Sequence, residues 1–99
     1  MRIVFFGSPI EAAASLESLI VAGHDIAAIY SQPDRNSGRG RNKTATPVKA
    51  FALQNELPVF TPKGLRNNVE ELERLIKLNA DAFVVVAYGR ILPIEILQV

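Results

Sequence analysis

Hydrophobic positions along the chain follow two rhythms. Residues 2–6, 25–31, 58–60 and 82–88 are short apolar runs, and the first and last are almost unbroken in Val, Ile and Phe. Runs without polar alternation suit strands covered on both faces, as in parallel sheets. Between them the spacing becomes helical. Ala12, Leu16, Leu19 and Ile20 share one stripe, and Glu11, Ser15 and Ser18 share another. Ser8 as N-cap, Pro9 at the first helical position and Glu11 three residues after the cap predict a capping box, and Gly23 predicts a left-handed stop. Thr46-Pro47 opens a second helix with Val48, Phe51 and Ala52 on one face. A third helix gathers Val69, Leu72 and Ile76, with Asn68 as its cap and Asn79 near its end.

The order β-α-β-α-β-α-β predicts an α/β fold with a parallel sheet between helices. With right-handed crossovers this becomes a Rossmann-like open, mostly parallel sheet. No internal repeat and no linker divides the chain. Nothing after the fourth run covers the far side of Phe83-Val84-Val85-Val86. An uncovered parallel strand exposes unpaired backbone and apolar surface. The pattern therefore predicts the N-terminal half of a larger domain, and a small complete four-stranded domain is the other reading.

A length of 99 residues allows at most one domain. With 48% hydrophobic residues and a net charge of +1, the chain is too apolar and too neutral for disorder. There is no Cys and a single His, which excludes a disulfide framework, thiolate chemistry and a multi-histidine metal cluster; no metal is expected. The short apolar start lacks a small-residue cleavage site and reads as a strand. No run is long enough to span a bilayer, so no membrane partner is expected and the cytoplasm is the default location.

Three loops carry candidate chemistry. The first strand-to-helix turn, Gly7-Ser8-Pro9-Ile10-Glu11-Ala12, keeps only the first glycine of G-x-G-x-x-G, which argues against dinucleotide binding. Residues 31–46 have no apolar periodicity and hold four of the 11 basic residues (Arg35, Arg39, Arg41 and Lys43) against Asp34 alone among the acids. Cations on Gly-rich backbone suit a nucleic-acid phosphate chain, and an ordinary solvated loop is the other reading. The loop has no aromatic residue to stack on bases. Tyr88-Gly89-Arg90-Ile91-Leu92 leaves the carboxyl end of the last strand, where open α/β sheets gather ligands, and Ile91 and Leu92 suit a slot for a flat ring. His24 reads as a turn residue, and Glu70, Glu71 and Glu73 as a solvated helix face. No nucleophile, base and orienting group come together in the sequence.

Together, residues 2–9, Ala22-Gly23-His24, Ser31-Gln32-Pro33-Asp34-Arg35, Gly38-Arg39-Gly40, Thr46-Pro47-Val48-Lys49, Leu57-Pro58-Val59-Phe60 and residues 84–93 resemble the formyltransferase family, in the branch whose acceptor is initiator methionyl-tRNA. The resemblance runs over essentially the whole chain, and the pairing of Gln-Pro-Asp-Arg with Gly-Arg-Gly is its most specific part. Relatives that formylate nucleotide sugars share the core but usually lack this loop. The resemblance implies transfer of a formyl group from 10-formyltetrahydrofolate, the folate donor, to the amino group of the methionine. It implies that residues 32–45 form a basic substrate loop within a partial catalytic domain over 1–99. Arg39 is then the principal tRNA-binding residue, with Arg35, Arg41 and Lys43 in support. Tyr88, Gly89, Arg90, Ile91 and Leu92 become the donor-binding segment.

The reaction needs donors aimed at a developing oxyanion and a proton acceptor beside the amine. The family supplies these with an Asn-x-His motif and a distant Asp that these residues do not include, so the 99-residue piece is expected to be inactive alone. Where the family has an acidic and then an aromatic residue after Gly-x-Pro, this chain has Ile10 and Glu11.

Overall fold

The computed structural model describes residues 1–36 and 43–99. Four strands, β1 (Arg2–Gly7), β2 (Asp25–Tyr30), β5 (Val59–Phe60) and β6 (Ala82–Val86), form one sheet in the order β5-β2-β1-β6 with every neighbour parallel. Between β2 and β5 a short antiparallel ribbon pairs β3 (Arg35–Asn36) with β4 (Lys43–Thr44). The helices are α1 (Ile10–Val21), α2 (Pro47–Gln54), α3 (Val69–Leu78) and a one-turn α4 (Ile94–Leu97). This is the Rossmann-like arrangement that the alternation predicts.

Alternate residues of β1 feed two cores. Ile3 and Phe5 pack with Ala12, Ala13 and Leu16 of α1 and with Val48 and Ala52 of α2. Val4 and Phe6 pack on the opposite face with Leu65, Leu75 of α3, Tyr88 and Ile96 of α4. A strand covered on both faces has no reason to alternate with polar residues, which explains the unbroken run. In β2 the register slips by one residue between Ile3↔Ile26 and Val4↔Ala28, leaving Ala27 unmatched. The slip puts Ile26 and Ile29 on the same face and sends Ala28 and Tyr30 to the other.

Helix ends follow the sequence in four places. Thr46 Oγ1 accepts the Lys49 amide at 3.1 Å, Asn68 Oδ1 accepts the Glu71 amide at 3.1 Å, and Asn79 closes α3 in the left-handed region at φ 49°. Gly23, at φ 90°, terminates α1 as expected. The capping box does not form. Pro9 is the N-cap of α1, with no side-chain cap, because the Ser8 hydroxyl is engaged elsewhere.

Three further expectations are corrected. The last strand ends at Val86, two residues early, because Ala87 turns into the left-handed region at φ 49°. In α3 the core-facing stripe is the buried Leu75 with the partly buried Leu72 and Leu78, whereas Val69 and Ile76 are exposed. Glu71 is 8% exposed rather than solvated, because Tyr30 and Arg74 both bond its carboxylate. The last strand is left uncovered as expected: β6 lies at the sheet edge, none of its residues is buried and Val85 is half-exposed, while Ile96 packs into the second core.

Gly7 sits where β1 runs close to α1 and β6. A Cβ there would lie 2.7 Å from Phe5 Cε2 and 2.8 Å from both Ala12 Cβ and the Val86 carbonyl oxygen. One of these is backbone and cannot swing away. Gly7→Ala is expected to cost about 1–3 kcal/mol by overpacking, read as a lower urea midpoint at an unchanged slope.

Candidate functional site

Strand order decides where the site lies. From β1 the chain moves outward through β2 to β5, then returns to place β6 on the other side of β1. The reversal leaves a crevice beyond the carboxyl ends of β1 and β6, the usual ligand position in open α/β sheets. A cleft of about 410 Å³ opens there. Ser8 and Pro9 follow β1, Ala87, Tyr88 and Gly89 follow β6, and Gln32 and Arg35 enter from beyond β2. Residues 44–47, from β4 to the start of α2, complete the wall.

Hydrogen bonds between side chains and backbone tie these segments together. Ser8 Oγ donates to the Tyr88 carbonyl at 2.9 Å and accepts the Gln32 amide at 3.2 Å. Ser31 Oγ bonds Thr46 Oγ1 at 2.5 Å. Lys49 Nζ holds Asp34 Oδ1 at 2.8 Å, so the one acid of the basic loop is already neutralised by α2. Arg90 Nε donates to Gln32 Oε1 at 2.9 Å. Gln32 is 4% exposed, and its Nε2 has no hydrogen-bond partner among the described residues.

The donor-binding segment expected from the sequence divides in space. Tyr88 and Gly89 reach the cleft, Gly89 at φ 93° against the Gln32 side chain. The Tyr88 ring itself is core, edge-on to Phe6 with centroids 5.5 Å apart. Arg90 and Ile91 line a separate groove of about 350 Å³ with Gly64, Leu65 and Arg66. Leu92 packs on the second core and Ile91 is fully exposed, so these two do not form the apolar slot together. Of the cationic residues, Arg35 lines the cleft and Lys43 is exposed on the same ribbon. Arg39 and Arg41 lie outside the described residues. The sequence places Gln32 and Thr44 in the substrate loop without singling them out, and marks Ser8, Pro9 and Thr46 only as helix starts. Only place in the loop could have pointed to Gln32 and Thr44.

Burial pushes the Tyr88 phenol up from its ordinary 10.0 to about 12. The unfolded chain loses this proton at lower pH than the folded one. The contribution is therefore complete below pH 10 and is lost as pH rises toward about 12. Burial, with a hydrogen bond to Glu71, moves Tyr30 in the same direction. The Tyr88 hydroxyl is also buried without a hydrogen-bond partner among the described residues. Tyr88→Phe is expected to raise stability by about 1 kcal/mol at neutral pH. It should also flatten part of the fall between pH 10 and 12, in urea titrations at each pH.

His24 lies outside the cleft, its Nδ1 3.3 Å from the amino group of Met1. No described cleft residue is an Asp, Glu or His, so the described walls offer no carboxylate or imidazole proton acceptor.

The formyl transferase family model matches residues 1–99. A methionyl-tRNA formyltransferase of Methylococcus capsulatus is 52% identical over all 99 residues, which cover 32% of that protein. One from Prochlorococcus marinus is 44% identical over the same span and 30% of its own length. One from Coxiella burnetii is 52% identical over 93 residues, 94% of this chain and 29% of the relative. The chain thus spans about a third of the length of these relatives. A crystal structure of phosphoribosylglycinamide formyltransferase from Bacillus halodurans superposes with a TM-score of 0.69 at 17% identity, over 99% of this chain and 50% of that one. At that identity the likeness speaks for the fold. Matched by the family model from end to end, the chain belongs to the formyl transferase family.

Proposed function

We propose that these residues form the substrate-binding part of a methionyl-tRNA formyltransferase. The donor is 10-formyltetrahydrofolate and the acceptor is the amino group of initiator methionyl-tRNA. The observation that carries this reading is the cleft itself, whose walls join the turn after β6 to the cationic β3–β4 ribbon. The names of the relatives supply the substrates. A cytoplasmic setting fits a translation enzyme, and among the described residues no helix is long and apolar enough to cross a membrane.

The cleft volume falls in the range of small-molecule sites. The unpartnered Gln32 amide and the backbone beside Gly89 suit a flat heterocycle with polar edges. When bound, the donor supplies the formyl carbonyl. Ala87, Tyr88 and Gly89 hold it at the β6 exit, with Arg90 and Leu92 steadying that turn from outside the cleft and Ile91 exposed beyond it. Residues 32–45 form the tRNA-binding loop, with Arg39 as its principal contact and Arg35, Arg41 and Lys43 as electrostatic support. The 99 residues bind and do not catalyse, and the isolated chain is expected to formylate no methionyl-tRNA. A nucleotide-sugar acceptor fits less well, since its pyrophosphate offers two phosphates to a loop with four cations.

The test is a thermal melt with 5-formyltetrahydrofolate, a stable analogue of the donor. A ligand at 100 times its Kd stabilises the folded state by about 2.7 kcal/mol, or roughly 11–22 °C for a domain of this size. An unchanged Tm at millimolar analogue would overturn the donor assignment. If RNA is still bound in that case, the chain is a nucleic-acid-binding module and not part of a folate enzyme.

A further inference from the structure

We propose that Ser8 is a positioning residue whose hydroxyl clasps the root of the cationic loop to the turn after β6, so that a ligand on one is felt at the other. The second half of this statement rests on the function proposed above. The clasp itself rests on geometry alone.

β2 and β6 flank β1 on opposite sides, so the segments that follow them are not neighbours in the sheet. The end of β1 lies between them, and Ser8 is the first residue past it. Its Oγ gives its proton to the Tyr88 carbonyl at 2.9 Å and takes the Gln32 amide proton at 3.2 Å. A hydroxyl is suited to this because it donates and accepts at once. The Ser8 carbonyl accepts the Val48 amide at 3.1 Å, which fixes the backbone against the first turn of α2. A second strap runs directly from Arg90 Nε to Gln32 Oε1, with Gly89 packed on the Gln32 side chain. The sequence pattern makes Ser8 a helix cap. The structure gives its hydroxyl to the two loops instead and leaves α1 without a side-chain cap.

The test compares the chain with its Ser8→Ala and Ser8→Thr variants by amide hydrogen exchange. Without ligand, Ser8→Ala should speed exchange at least tenfold at Gln32 and also across residues 87–90, with the amides inside β1 unchanged. Ser8→Thr keeps both hydroxyl functions and should stay within threefold of the parent. Faster exchange at Gln32 alone, or no change, overturns the clasp. Equal acceleration in the threonine variant also overturns it, because the hydroxyl would then not be the cause. With 5-formyltetrahydrofolate, the parent should gain protection at Gln32 as well as at residues 87–90, and Ser8→Ala at 87–90 only. Protection of residues 87–90 alone in the parent overturns the coupling. Protection of neither segment overturns the functional reading, while the ligand-free comparison still decides the clasp.

Discussion

Arg74→Leu is expected to lower stability by about 3 kcal/mol, far more than the loss of a surface ion pair. Arg74 bonds Glu71, whose carboxylate is nearly buried and also accepts the Tyr30 hydroxyl at 2.8 Å. The same guanidinium lies 4.1 Å from the Phe60 ring centroid. Its contact with the exposed Glu70, at 3.6 Å, adds little. Removing the cation leaves a carboxylate away from water with one neutral donor. That uncompensated charge, and not the lost attraction, sets the size of the effect. The triple change Tyr30→Phe, Glu71→Leu and Arg74→Leu removes every member of the network and should recover to within about 1 kcal/mol of the parent. Urea unfolding of the parent, Arg74→Leu and the triple variant at pH 7 checks both statements. A triple variant as unstable as Arg74→Leu would mean that packing, and not charge burial, dominates.

The network also reaches the site. Tyr30 is the last residue of β2, stacked on Phe6 at 5.0 Å, and the next two residues are Ser31 and Gln32 beside the cleft. Arg74→Leu should therefore weaken folate binding as well as stability. Glu70→Gln should change neither, because Glu70 faces solvent.

Periodicity made the parallel sheet, the two covered faces and four helix ends legible, because each is a local pattern. What stayed hidden depends on contacts between distant residues. Strict alternation puts Ile26 with Tyr30, and only the register slip against β1 separates them. Glu71 looks like one of three solvated acids until Tyr30 and Arg74 are brought to it from β2 and along α3. Ser8 has the right type and spacing for a cap, but Tyr88 and Gln32, far away in sequence, hold its hydroxyl. At the candidate site, position after a strand was readable for Tyr88 and Gly89. The turn set by Ala87 and Gly89, both at positive φ, sends Ile91 away from the cleft, and no apolar pattern encodes that.

Raising salt from 50 to 200 mM is expected to weaken binding of initiator methionyl-tRNA by roughly a hundredfold, as four phosphate contacts would require. The four cations are Arg35, Arg39, Arg41 and Lys43, of which Arg35 and Lys43 are exposed on the β3–β4 ribbon. Asp34 does not cancel them, since Lys49 of α2 pairs with it at 2.8 Å. Each cation replaced by Ala should lower the slope of log K against log salt by about 1. Arg39→Ala should weaken tRNA far more than the folate analogue, because the proposed function gives the cationic loop and the β6 exit different ligands. Equal loss of both would contradict the division of the cleft. Fluorescence anisotropy of labelled tRNA across the salt series measures the slope directly. A slope near zero would mean that the loop is an ordinary solvated one, whatever its charge.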